Sequence, residues 1–128
     1  MTKHEDMVAL RNDPEVHYNC AQAVLIPFAE DLGMTREQAG AISAHFGGGM
    51  GCGSVCGAVT GALMAMGGLG ISEDERLELL KNIREKYGSY LCCELTKDLE
   101  KGTPERKAKC DGLVADCLHY VCQLTGKE

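Results

Sequence analysis

The sequence predicts an all-α domain, a compact bundle-like arrangement of five or six helices. Three observations point there: apolar residues recur at helical spacing, Gly, Ser and Thr punctuate those runs, and long strand-like alternation is absent. At 128 residues the chain fits one domain, residues 1–128, large enough to bury an ordinary core. Its 45% hydrophobic content excludes wholesale disorder.

The elements follow in order. A first short helix is expected over Lys3 to Arg11, broken by Asp13-Pro14. Asn19 is a plausible N-cap for a second, with Ala23, Val24, Phe28 and Leu32 at helical spacing before Gly33. Pro27 should kink that run, because it lacks an N–H and clashes with the preceding turn. Thr35 and Gln38 form a capping box opening a third helix through about His45. The glycine-rich FGGGMGCGS stretch is too flexible for a regular element, and a helix is expected from about Ser54 to Met66, ended by Gly67-Gly68. Ser72 and Glu75 suggest another capping box, with Leu77, Leu80, Ile83 and Tyr87 on one stripe and Gly88 as the stop. Thr103-Pro104 is a strong start signal for a last helix to about Leu124, with Gly126 beyond it.

Charge and composition narrow the function. Thirteen basic and 19 acidic residues leave a net charge of −6, which argues against nucleic acid or an anionic membrane as partner. Although Asp, Glu, Lys and Arg are absent between Glu37 and Glu73, the most apolar part, Val55 to Met66, falls short of the roughly 20 residues of a membrane span. The charged N-terminal stretch leaves no room for the apolar core of a secretory signal, so a cytoplasmic location is expected. The anomalies are 16 Gly, 8 Cys and the absence of Trp. In that compartment cysteines are more often thiols, metal ligands or redox groups than a disulfide framework.

No C-x-x-C occurs. Zinc ribbons, thioredoxin-type sites, c-type haem attachment and the standard ferredoxin runs are thereby removed, and any metal site must draw its ligands from separate segments. Cys20 and Cys56 fall in the first turns of their helices, where the partial positive charge favours thiolate. Cys92 falls in a break between helices. Cys110 shares a stripe of the last helix with Val114 and Cys117, and His119 lies roughly opposite. Cys117 and Cys122 read as small buried hydrophobes, whereas Cys52 and Cys93 are not assigned. His45 is a candidate ligand or, more ordinarily, a cap residue. The run Glu73-Asp74-Glu75 reads as a solvated cap complementing the helix dipole.

The glycines carry a second signal. Gly57 and Gly61, with Ala58, Ala62 and Ala65, give their helix a smooth side, suited to tight helix contact or to a site that Cys56 faces. Gly47-Gly48-Gly49 and Gly51 lack the strand, the GKS or GKT sequence and the nearby basic residues of a nucleotide loop. A turn through positive φ, freeing N–H groups toward cluster sulfurs, suits them better.

Together the blocks N-C-A-Q-A-V (19–24), F-G-G-G-M-G (46–51), C-G-A-V-T-G (56–61), C-C-E-L (92–95) and K-C-D-G-L-V (109–114) resemble a prokaryotic redox-active family, named C_GCAxxG_C_C for its pattern. The resemblance places the four family cysteines on Cys20, Cys56, Cys92 and Cys110. The family is similar in turn to the iron–sulfur domain of split-Soret cytochromes. That implies an iron–sulfur cluster, 2Fe-2S or 4Fe-4S, held by those four residues in an α-helical homodimer exchanging electrons with a partner protein or sensing redox state. Two other readings stand beside it. One is metal-free dithiol–disulfide chemistry, with Cys92 or Cys93 exchanging with Cys56 or Cys20; the other is a mononuclear zinc or copper site. Nothing in the sequence points to catalysis.

Overall fold

In a computed structural model describing residues 1–128, the chain forms seven α-helices and no sheet: α1 (Lys3–Arg11), α2 (Cys20–Leu25), α3 (Arg36–Ser43), α4 (Gly57–Gly68), α5 (Glu73–Tyr87), α6 (Cys92–Leu95) and α7 (Pro104–Thr125). The all-α expectation holds, and the helix beyond the expected five or six is the single turn α6. None of these helices is long and apolar enough to cross a membrane.

Local chemistry accounts for most starts and stops. Thr2, Asn19 and Thr35 each close a complete capping box, at α1, α2 and α3. Thr103 caps α7 with Pro104 behind it, and Gly88 and Gly126 take the left-handed conformation after α5 and α7. Pro27 acts earlier than a kink would: α2 stops at Leu25 and Ile26–Phe28 continue as one tighter turn.

Three details differ from the sequence expectation. Helix α4 begins at Gly57 rather than Ser54, because residues 54–56 pair with residues 90–92. Cys56 N–H donates to the Tyr90 carbonyl (2.8 Å) and Cys92 N–H to the Ser54 carbonyl (2.6 Å), around an antiparallel bridge between Val55 and Leu91. Gly67 and Gly68 accordingly fall inside the last turn of α4, not beyond it. Ser72 makes no side-chain cap, and the Glu75 carboxylate instead accepts from the Tyr120 hydroxyl (2.9 Å). The α5 stripe turns on Leu79 and Ile83, both buried; Leu77, roughly 200° around the helix from Leu79, is 61% exposed.

Helices α2, α4 and α7 form the centre. Val24, Leu25, Phe28, Val59, Ala62, Leu113, Leu118 and Val121 are buried there almost completely. The closest approach is α4 on α2. A Cβ on Gly61 would sit 2.7 Å from the Ala21 carbonyl oxygen and 3.1 Å from Val24 Cβ. The helix-contact reading of the Gly57 and Gly61 face is therefore correct. Around this centre, Lys3 ties α1 to the turn after α2, donating to Asp31 Oδ2 (2.6 Å) and the Pro27 carbonyl (3.1 Å).

Gly61→Ala should destabilise by about 1–3 kcal/mol through overpacking, despite the 0.5–1 kcal/mol helix preference for Ala. Gly67→Ala, with no atom within 4 Å of its new methyl, should stabilise by about that preference. Urea unfolding of the two variants checks the contrast, and shifts of the same sign would contradict the close crossing. The hydrogen bond from Lys3, helped by Lys127, holds the Asp31 carboxyl below the ordinary carboxylate range. Its stabilisation is present above about pH 4 and is lost as pH falls through the lowered value. Asp31→Asn should lower Tm at neutral pH, and thermal melts at descending pH should show the difference shrinking below about pH 4.

Candidate metal or redox centre

The centre begins with Asn19. Its side chain accepts from Gln22 N–H (2.9 Å) and donates to the Ala44 carbonyl (2.9 Å), which fixes Cys20 as the first residue of α2. Gly47 must lack a side chain here, since a Cβ would lie 2.4 Å from Asn19 Cβ. Gly57 then lets α4 start directly beside α2: its Cβ would be 3.3 Å from Cys20 Cβ and 2.9 Å from the Phe46 carbonyl oxygen. Cys56 is the N-cap residue of α4, with no side-chain cap bond, and the backbone N–H groups of Ala58 and Val59 favour its thiolate. Cys92 opens α6, drawn to the same region by the pairing of 54–56 with 90–92. It is not in a break between helices, as its sequence context suggested. Cys110 comes from the second turn of α7.

The thiols influence one another's ionisation. Cys20 and Cys110 do so most strongly, and each also feels Cys56 or is felt by it. Cys92 is in turn coupled to Cys56 and Cys110. The neighbouring Cys20 thiol holds Cys110 below the ordinary thiol range, and Arg11 and Arg106 act in the same direction. Cys20 is pushed up by Cys110 and by burial. Burial raises Cys56 to about 11 against the backbone N–H groups of Ala58 and Val59, and burial likewise raises Cys92.

Two arginines were not singled out by the sequence. Arg11 is nearly buried, its side chain 8% exposed, and is held by Asp111 Oδ1 (2.7 Å) and the Tyr18 carbonyl (3.0 Å). Arg106 donates to the Leu99 carbonyl (3.3 Å) and sits one turn before Cys110, a spacing that could have revealed it. Arg11 lies 99 positions from Cys110 in sequence, and no local signal would have found it. Their charge offsets part of the repulsion among gathered thiolates.

The remaining candidates lie elsewhere or serve packing. Cys117 is fully buried beside Cys56 and Cys122 is nearly so; burial raises both thiols, as small core hydrophobes require. Cys52 and Cys93 are exposed. His45 is exposed. His119 stacks on His4 with Nε2 3.0 Å from Nδ1, on the α1 side of the molecule. Glu73 and Asp74 are exposed, as a solvated cap should be. No three His, Cys, Asp or Glu side chains are drawn tightly enough together to hold a metal ion.

The glycine loop completes the surroundings. Residues 48–51 run through consecutive left-handed conformations, Met50 among them (φ 62°), within a single wide turn over Gly49–Gly53. Gly49 is pinned from two sides. A Cβ there would lie 2.5 Å from Ser54 N and 2.8 Å from Cys92 Cβ.

The family described as "Putative redox-active protein (C_GCAxxG_C_C)" matches residues 18–124. The chain belongs to this family. The match spans all four cysteines of the expected set, and the redox-active, cysteine-rich description agrees with the thiol-rich region above. Within the C_GCAxxG_C_C match, Cys56-Gly57-Ala58-Val59-Thr60-Gly61 is the segment whose two glycines press α4 against α2. No curated protein and no solved structure matches the chain.

Gly49→Ala should separate the loop from Cys92. Beyond the roughly 1–3 kcal/mol strain of a left-handed alanine, its methyl must displace Ser54 or Cys92. Gly51→Ala, with open space around its Cβ, bears only the strain. Alkylation mapped by mass spectrometry should find Cys92 labelled faster in Gly49→Ala than in Gly51→Ala, and equal rates would contradict the pinning.

Proposed function

We propose that the chain is an iron–sulfur redox protein whose cluster, 2Fe-2S or 4Fe-4S, is held by Cys20, Cys56, Cys92 and Cys110. What supports this reading is that four thiols from four helices influence one another electrostatically, three of them at helix N-termini and Cys110 under the influence of two arginines. Thiolate is the form that binds iron, and Cys110 is the thiol held toward it; at the three helix N-termini burial outweighs the dipole, and bound iron would supply the missing positive charge.

The donor set is all sulfur, the chemistry iron–sulfur clusters take. A single zinc would need its sulfurs about 2.3 Å from one point. In a 4Fe-4S cluster each cysteine binds its own iron, and in a 2Fe-2S cluster two share each iron, so the ligands of a cluster stand farther apart. When bound, the cluster would supply reversible one-electron transfer. The protein's own part is to hold thiolates, to place Arg11 and Arg106 against their charge, and to line one side with the left-handed glycine loop. In this reading the electrons pass to or from a partner protein, and a homodimer in the cytoplasm is its expected setting.

One observation favours metal-free dithiol chemistry instead. The two thiols that influence each other most strongly are Cys20 and Cys110, a different pairing from the exchange of Cys92 or Cys93 with Cys56 or Cys20 that the sequence suggested.

Anaerobic purification with iron and acid-labile sulfide analysis tests the choice. The cluster reading expects a brown protein with iron and sulfide in matching amounts. Cys56→Ser should lose nearly all of the iron, while Cys122→Ser should keep it. A colourless protein whose thiol titre rises on reduction would favour the dithiol reading. Bleaching by Cys122→Ser but not by Cys56→Ser would overturn the ligand set.

A further inference from the structure

Two exposed cysteines outside the proposed ligand set lie on neighbouring segments of the same region. Cys52 lies in the wide turn over Gly49–Gly53, and Cys93 is the second residue of α6; both are exposed. Just beyond the isolated antiparallel bridge of Val55 with Leu91, Gly53 at the end of the turn packs against Cys93 at the start of α6. The close packing agrees: a Cβ on Gly53 would be 2.9 Å from Cys93 Cβ and 3.6 Å from its Cα. Cys52 is the residue before Gly53, one position from that contact. A disulfide spans Cα atoms about 4.4–6.8 Å apart, and closing one here asks Cys52 to turn toward Cys93 through the glycines that flank it.

The surroundings permit closure. Cys52 Sγ has one contact to give up, its hydrogen bond to the Gly49 carbonyl (3.4 Å). Positions 51 and 53 are glycines, so the backbone on either side of Cys52 can adjust. Neither thiol lies in the core.

We infer that Cys52 and Cys93 form a second redox centre, a surface dithiol that reduces small-molecule disulfides by closing into an intramolecular disulfide. In the first step one thiolate attacks a sulfur of the small disulfide, giving a mixed disulfide and releasing one small thiol. The other cysteine's thiolate then attacks the protein-side sulfur of that mixed disulfide, closing the Cys52–Cys93 bond and releasing the second small thiol. The protein dithiol gives up two electrons and two protons; the small disulfide takes both and leaves as two thiols. The chemistry is a two-electron exchange, separate from the one-electron role proposed for the buried thiols, and it does not require the cluster.

The test uses the full chain, purified anaerobically and incubated with oxidised glutathione. It is then quenched by acid and alkylation and mapped by mass spectrometry without reduction. A Cys52–Cys93 cross-link should be the main disulfide, whereas Cys52→Ser and Cys93→Ser should each stop at a glutathione adduct on the remaining cysteine. Glutathione on Cys52 and Cys93 separately with no cross-link, or a dominant cross-link between other cysteines, would overturn the inference. Iron measured on the same samples separates the two proposals. A missing cross-link with iron retained removes this one alone, and a cross-link formed in an iron-free protein removes the cluster alone.

Discussion

The approach of α4 to α2 sets the position of almost everything else. Gly57 and Gly61 present bare backbone to Cys20, Ala21 and Val24, at distances where any Cβ on α4 would collide. Each glycine weakens the helix by about 0.5–1 kcal/mol relative to alanine, and the buried contact offsets that cost. Because the two helices meet near their starts, the crossing delivers Cys20 and Cys56 to the same place. A wider spacing of the axes would leave a good apolar core and no common site.

The second constraint is the short pairing of residues 54–56 with 90–92. It is too brief to be a sheet, yet it fixes where α4 and α6 begin. Cys56 and Cys92 are thereby brought alongside the partners that α2 and α7 supply. Gly49, closed in by Ser54 and Cys92, locks the preceding loop against this pairing. Arginines from α1 and α7 then provide charge at the one place where thiolates would otherwise repel.

Much of this is legible in sequence because its signals are local. The Thr2, Asn19 and Thr35 caps, the Thr103-Pro104 start and the stops at Gly88 and Gly126 each depend on a few neighbouring residues. The misreadings share a different cause, in that a distant segment overrides a local preference. Ser54 and Val55 look like the beginning of a helix until residues 90–92 claim their backbone. Ser72 and Glu75 spell a capping box until Tyr120 takes the carboxylate. Leu77 and Leu79 are both leucines, and only the placement of α7 and α4 decides which one faces inward. At the site, the four cysteines of the family pattern stand out as a set. Arg11 does not, because its relation to Cys110 exists only after α1 packs on α7, through the ion pair with Asp111.

Iron X-ray absorption on the anaerobically purified protein asks most directly whether one polynuclear group unites the four thiols. An all-sulfur first shell with a second shell of iron scatterers is the predicted spectrum. Iron bound only by oxygen or nitrogen, or a single iron in sulfur without an iron neighbour, would contradict the account.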